Sequence, residues 1–277
     1  MVSTTTTFVP PVPAQTLSVP GKPPLELRVW GKKPRASSVP LVLHFHGGAF
    51  VSGDLDSSAC MAELLASSGA VVASLAYPLA PTHRFPAAVE AGYVALAWLY
   101  KQRARLAGAG APLFVAGEEA GGNIAAAVAL MVRDRAHPPL AGQILVAPML
   151  DPCNATASLR QTLGAAICCK WIDGWKQYLR GPMDAEHPYA VPCRAQRLTG
   201  LPPTLILTGG DDPMRDEALA YAERLREAGI PVSGGVLAPT TGWPDALNEQ
   251  PPQECPCAGE VREHVRAFFQ AATPPPS

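Results

Sequence analysis

Five short apolar runs punctuate the chain: LVLHF (Leu41–Phe45), AVVASLAY (Ala70–Tyr77), LFVAG (Leu113–Gly117), QILVAP (Gln143–Pro148) and TLILTG (Thr204–Gly209). They are rich in leucine and β-branched residues and show no alternation with polar positions. Strands buried on both faces of a sheet read this way. Between the runs lie stretches with helical spacing: Ser57–Ser67, Pro86–Gln102, Gly121–Arg135, Arg215–Ala228 and Glu260–Ala271. In the last, Val261, Val265, Phe268 and Phe269 fall on one face, as an amphipathic helix against a core requires. Strands alternating with helices predict an α/β fold with a mostly parallel central sheet, flanked by helices on both faces. The alternation breaks between residues 152 and 200, where a lid-like insertion off the sheet is expected. There is no internal repeat and no sign of a second domain.

Composition adjusts this picture in two places. Proline is in excess, 31 of 277 residues, about twice the usual share of roughly 5%. It clusters at Pro10–Pro24, at Pro251–Pro256 and in the Pro274–Pro276 tail, where a fixed φ and a missing N–H favour loops. Residues 1–24 therefore read as a proline-rich N-terminal extension, 25–271 as the folded domain and 272–277 as a disordered tail. Charge is the other adjustment. Twenty-two basic and 23 acidic side chains leave a net charge of −1, so the basic surface of a nucleic-acid partner protein is not expected. No window reaches the roughly 18 apolar residues of a membrane span. The start shows neither the basic nor the apolar region of a signal peptide, and a cytoplasmic protein is expected. The seven cysteines follow no framework spacing and are read as ordinary free thiols. Cys255-Pro-Cys257 lacks the second ligand pair of a zinc site, so no metal and no cofactor are expected.

Three segments carry candidate chemistry. In HFHGGAF, His46, Gly47 and Gly48 follow a strand directly; bare backbone N–H groups in that position can form half of an oxyanion hole, or the glycines can simply serve a tight turn. In LFVAGEEAGGNIAAA a strand turns into a helix through Gly117-Glu118-Glu119-Ala120-Gly121, the outline of a GxSxG nucleophile elbow with Glu119 in the central place. TLILTGGDDPMRDEALAYAERLREAG supplies a strand, an acidic turn and a helix.

These segments, together with YPLAPTHRFPAAVEAGYVAL (Tyr77–Leu96), PMLDP (Pro148–Pro152) and DPMRDE (Asp212–Glu217), resemble the hormone-sensitive-lipase-like, HGGG-type carboxylesterase branch of the α/β-hydrolases. The resemblance runs from about Leu25 to Phe269 and implies the α/β-hydrolase fold with a reduced lid. In that family an elbow serine attacks an ester carbonyl, a histidine takes its proton and an aspartate orients the histidine. Carried onto this chain, the nucleophile position is Glu119, the acid position is Asp212, and the histidine position in APTTGWPDAL is Thr241. The oxyanion hole falls to Gly47, Gly48 and Ala120. His44, His46, His83, His137, His187 and His264 all lie outside the triad loop and read as structural.

Two triad members are therefore replaced, and the resemblance implies a pseudoenzyme. A glutamate at the elbow faces a helix N-terminus, which favours an anion, and its carboxylate is expected to fold onto the N–H groups of Gly47, Gly48 and Ala120. A small acyl- or ester-like ligand, or a protein partner through an edge strand or terminal helix as in a homodimer, fits a site that binds without hydrolysing. The competing reading is an active hydrolase, or a lyase- or cyclase-type enzyme, using Glu119 as base or nucleophile. In the insertion, Trp171, Trp175 and Tyr178 at helical spacing either line an acyl pocket or anchor the insertion to the body.

Overall fold

The computed structural model describes residues 15–17, 24–33, 37–153, 155–162, 165–238, 240–244, 247 and 256–272, with the side chains of Leu17 and of 162–169 outside that description. Its centre is an eight-stranded sheet. The strands are β1 (Gln15–Leu17), β2 (Leu25–Trp30), β3 (Leu41–Phe45), β4 (Val71–Ala76), β5 (Leu113–Glu118), β6 (Gly142–Val146), β7 (Thr204–Gly209) and β8 (Val232–Leu237), ordered β1-β2-β4-β3-β5-β6-β7-β8. The β1–β2 and β2–β4 pairings are antiparallel and all the others parallel. In register, Phe45 of β3 lies beside Leu75 of β4 and Gly117 of β5. The carboxyl ends of these central strands thus meet on one line.

The absence of polar alternation in the strands has a direct structural cause. On β3, Leu41, Leu43 and Phe45 enter one core while Val42 enters the other. On β5, Leu113 and Val115 face the first core, Phe114 and Ala116 the second. The first core is closed by α2 (Ala87–Leu106), α3 (Ala120–Arg135) and α7 (Arg215–Glu227), the second by α1 (Ala59–Ser67) and the terminal helix α8 (Ala258–Ala272). Phe268 and Phe269 of α8 pack edge-on against Phe114, which fulfils the amphipathic face read from its spacing. The insertion between β6 and β7 holds α4 (Ala157–Thr162), α5 (Ala165–Tyr178) and α6 (Pro182–Ala185). Among the described residues, no helix is long and apolar enough to cross a membrane.

Several boundaries differ from the expectation. Helix α1 starts at Ala59 rather than Ser57, because the Asp54 carboxylate accepts the Asp56 and Ser57 N–H groups in a turn of its own. Helix α2 runs four residues beyond Gln102, through a polar stretch in which no apolar period marks an end. β1 lies inside the stretch read as an extension, where prolines on both sides hide a three-residue edge strand. β8 is half exposed and carries Gly234 and Gly235, so it lacks the apolar run by which the other parallel strands are read. Cys153 and Cys193 are free thiols, but Cys257 is disulfide-bonded, contrary to the free-thiol expectation. An odd cysteine count without framework spacing does not exclude a single bridge. Cys255, the side chains of Cys168 and Cys169, Pro239, Pro251, Pro252, most of residues 1–24 and residues 273–277 lie outside the described residues.

Candidate functional site

Strand β5 ends at Glu118 and helix α3 begins at Ala120, leaving Glu119 alone at the bend with φ 52° and ψ −118°. A residue with a Cβ in that region is strained by about 1–3 kcal/mol, and such strain persists only where the surroundings impose it. Here the backbone of Glu119 is pinned on both sides: its N–H donates to Val146 O at 3.1 Å and its carbonyl accepts Met149 N–H at 2.9 Å. The flanking glycines make the bend sterically feasible. A Cβ on Gly117 would strike the Gly121 carbonyl, and one on Gly121 would strike the Phe45 carbonyl. The helix therefore lies directly on the strand ends and thrusts residue 119 toward the loop after β3.

What Glu119 meets there is a set of hydrogen-bond donors. Its Oε2 accepts from Gly48 N–H at 2.5 Å and Ala49 N–H at 3.3 Å. Its Oε1 accepts from the Trp171 indole N–H at 2.5 Å and lies 3.9 Å from Lys170 Nζ. The side chain is fully buried. The expectation that Gly47, Gly48 and Ala120 would hold this carboxylate is met for Gly48 alone. Gly47 N–H turns instead to Glu118 Oε1 at 3.1 Å, and Ala120 N–H makes no hydrogen bond to Glu119 among the described residues. Ala49 takes the second place because the backbone turn between the two N–H groups is made at Gly48 itself, whose φ is 110°. Glycine content pointed one residue too early.

Beneath the loop runs a second buried chain. Ser74 Oγ lies 3.1 Å from His44 Nδ1, and His44 Nε2 lies 2.6 Å from Glu118 Oε2. His44 and Ser74 are register partners on adjacent strands. All three residues are without solvent exposure. In composition this is a Ser-His-acid triad, but no substrate can reach Ser74; its effect is to hold Glu118, and through it Gly47. His44 is therefore structural as expected, in a role that strand periodicity could not show.

On the acid side the structure separates Asp212 from Thr241. Asp212 accepts the Thr208 hydroxyl at 2.6 Å and Met214 N–H at 2.8 Å. Thr241 turns to the preceding residue: its N–H and its hydroxyl both donate to Asp211 Oδ1 at 2.9 Å, and Gly242 N–H donates to Asp211 Oδ2 at 2.9 Å. Burial acts upward on both acids. In Asp211 it is outweighed by the Thr241 and Gly242 N–H groups, which hold its carboxyl below the usual range. In Asp212 burial prevails and the carboxyl is pushed up to about 6. Burial likewise raises Glu217, which accepts Asp151 N–H at 2.7 Å.

The raised Asp212 has a consequence for stability. The unfolded chain loses this proton near 3.8 and the folded chain near 6. Between those values the folded state binds more protons, so stability falls as pH rises, a loss on the order of 3 kcal/mol that persists at neutral pH. Asp212→Asn keeps a carbonyl acceptor for Met214 N–H. It is expected to raise the thermal midpoint by several degrees at pH 8 and to leave it unchanged near pH 4, measured by calorimetry across that range.

Four of the other five histidines have side-chain partners of their own. His46 Nδ1 meets Gly47 O at 2.7 Å and its ring stacks on Tyr77 at 4.3 Å; burial is the main cause that lowers its pKa. His187 accepts Tyr189 N–H, His137 packs edge-on to Tyr100, and His264 pairs with Glu260 at 3.9 Å. His83 is exposed. Trp171, Trp175 and Tyr178 are buried against the body, Tyr178 stacking on Phe50 at 4.0 Å. They anchor α5.

A family model described as alpha/beta hydrolase fold matches residues 42–238. The matched span begins in β3 and ends just after β8, so it contains the elbow, the loop after β3 and the acidic turn. The chain belongs to the α/β-hydrolases. Within them it falls in the hormone-sensitive-lipase-like carboxylesterase branch. It is 37% identical over 204 residues to Esterase LipI of Mycobacterium tuberculosis, covering 72% of this chain and 63% of that protein. It is also 37% identical over 210 residues to the gibberellin receptor of Oryza sativa subsp. japonica, covering 71% of this chain and 58% of the receptor. The match thus spans less than two thirds of the length of either relative. Among solved structures, a bacterial heroin esterase superposes with a TM-score of 0.80 at 34% identity, covering 93% of this chain and 84% of the esterase.

Three residues of this α/β-hydrolase site, Ala49, Asp211 and Lys170, carry no signal in the sequence, and Trp171 reads there only as a pocket-lining or anchoring aromatic. Ala49 was hidden by not being a glycine, although it stands third in the run after His46. Asp211 was hidden by its neighbour Asp212. Trp171 and Lys170 sit in the insertion, about fifty residues downstream of the elbow, and no spacing rule connects them to it.

Proposed function

We propose that this α/β-hydrolase-family protein does not hydrolyse esters and that its site binds a small acyl- or ester-like ligand or a partner. One observation carries the reading: the Glu119 carboxylate occupies the N–H groups of Gly48 and Ala49, toward which an oxyanion would have to develop. Acyl transfer needs those donors free for the transition state. It also needs a base in reach of a nucleophile, and Thr241, at the position the family gives to histidine, is engaged with Asp211. A carboxylate whose two oxygens already accept from three N–H groups is a poor nucleophile, which weighs against direct attack by Glu119.

Ester hydrolysis is what the names of several relatives describe, so the test is direct. Purified protein is given p-nitrophenyl acetate and p-nitrophenyl butyrate beside a Glu119→Ala control. Release of p-nitrophenol is expected to be equal in the two. Saturable turnover by the wild-type protein that the substitution abolishes would overturn the reading in favour of catalysis by Glu119.

A further inference from the structure

Each oxygen of Glu119 addresses a different element. Oε2 accepts from Gly48 and Ala49 on the loop after β3, while Oε1 accepts from Trp171 and approaches Lys170 on α5. Every one of these groups is a donor: two backbone N–H groups, an indole N–H and an ammonium. Such a set fits an acceptor-only group with two oxygens. The two elements are also in close contact beside it. Gly174, one turn beyond Trp171 on α5, lies so near the loop that a Cβ there would strike the Ala49 carbonyl. Phe50 of the same loop packs on Trp175 at 4.9 Å and on Tyr178 at 4.0 Å.

We propose that Gly48, Ala49, Lys170 and Trp171 form a carboxylate-binding site whose resident ligand is the protein's own Glu119, and that a carboxylate in this site is what holds α5 closed on the loop. The inference extends the non-hydrolytic reading by naming the ligand chemistry that the same donors take. Because Glu119 is attached to the chain, its effective concentration exceeds that of any free competitor, and the wild-type protein is expected to ignore added carboxylates. Once the tether is removed, the donors remain and a small free carboxylate takes its place.

The experiment uses Glu119→Ala in the full chain, with formate and acetate as probes and with acetamide and sodium chloride as controls. Amide hydrogen exchange across residues 165–178 is expected to be at least tenfold faster than in the wild type and to slow again on adding formate. The thermal midpoint should rise in parallel, saturating with a dissociation constant on the order of 1 mM or weaker, the ceiling for a three-atom ligand. Adding Trp171→Phe should remove the formate response. If the alanine variant does not fold, Glu119→Gly carries the same test, since glycine accepts the positive φ without strain. A folded variant that ignores formate, or that responds equally to acetamide or chloride, overturns the site while leaving the non-hydrolytic reading intact. Ester turnover by the wild-type protein overturns that reading while the formate response still decides the site.

Discussion

Glu118→Ala is expected to destabilise the protein by about 3–5 kcal/mol, since each buried polar group left without its partner costs about 1–3 kcal/mol. Over a chain of this size that lowers the thermal midpoint by roughly 10 °C or more. Three groups lose their acceptor or partner together: His44 Nε2, Ser74 through His44, and Gly47 N–H. None can reach water in compensation, because His44, Ser74 and Glu118 have no exposed surface. Glu118→Gln separates charge from hydrogen bonding. Its carbonyl still accepts from Gly47 or His44, so a smaller cost of about 1–2 kcal/mol is expected. Equal destabilisation by the two substitutions in urea titrations would mean that the charge on Glu118 alone matters. A negligible effect of Glu118→Ala would refute the account of this chain as the support of the loop.

Gly121→Ala is expected to cost at least about 4 kcal/mol, in the range reserved for substitutions with a specific steric cause. The added methyl would lie inside the Phe45 and His46 carbonyls, which are backbone atoms of a central strand and its exit and cannot swing aside. Helix α3 would have to lift from the sheet, carrying Glu119 away from Gly48. A glycine elsewhere gives the contrast. Gly259 lies in the first turn of α8, where an added methyl would meet no atom within 4 Å. Gly259→Ala is therefore expected to be neutral or to stabilise by about 0.5–1 kcal/mol through the unfolded chain. Comparing the two by chemical denaturation separates the crowding at the elbow from the general effect of replacing glycine. Similar midpoints for both would mean that the helix has room to move.

The fold was legible wherever burial on both faces left an unbroken apolar run. Leu41–Phe45 and Thr204–Gly209 show this most directly, since each run coincides with its strand. Gln15–Leu17 and Val232–Leu237 escaped for opposite reasons: one is short and set among prolines, the other is half exposed and broken by glycines. At the site, the elbow was readable because strand, bend and helix are contiguous, and Gly117 and Gly121 serve the close approach that their spacing suggested. The partners of Glu119 were not. Which N–H groups converge on it depends on the path of the loop through Gly48, at φ 110°, and Gly47 and Gly48 look alike as donors in a sequence. Trp171 is brought in by a helix that docks through aromatic packing, a tertiary contact with no local signature. The pairing of Thr241 with Asp211 rather than Asp212 follows from the path of one loop, and adjacent aspartates look alike in a sequence.

The buried Ser74–His44–Glu118 chain bears on how this protein shows up in chemical surveys. Phosphonate reagents that report serine hydrolases need a hydroxyl approachable from outside and a neighbouring imidazole to strip its proton. Ser74 has the imidazole but no approach, and the elbow carries in place of a hydroxyl the fully buried carboxylate of Glu119. A tally of serine hydrolases made from genomes would count this chain, whereas one made from labelled cell extracts would pass over it.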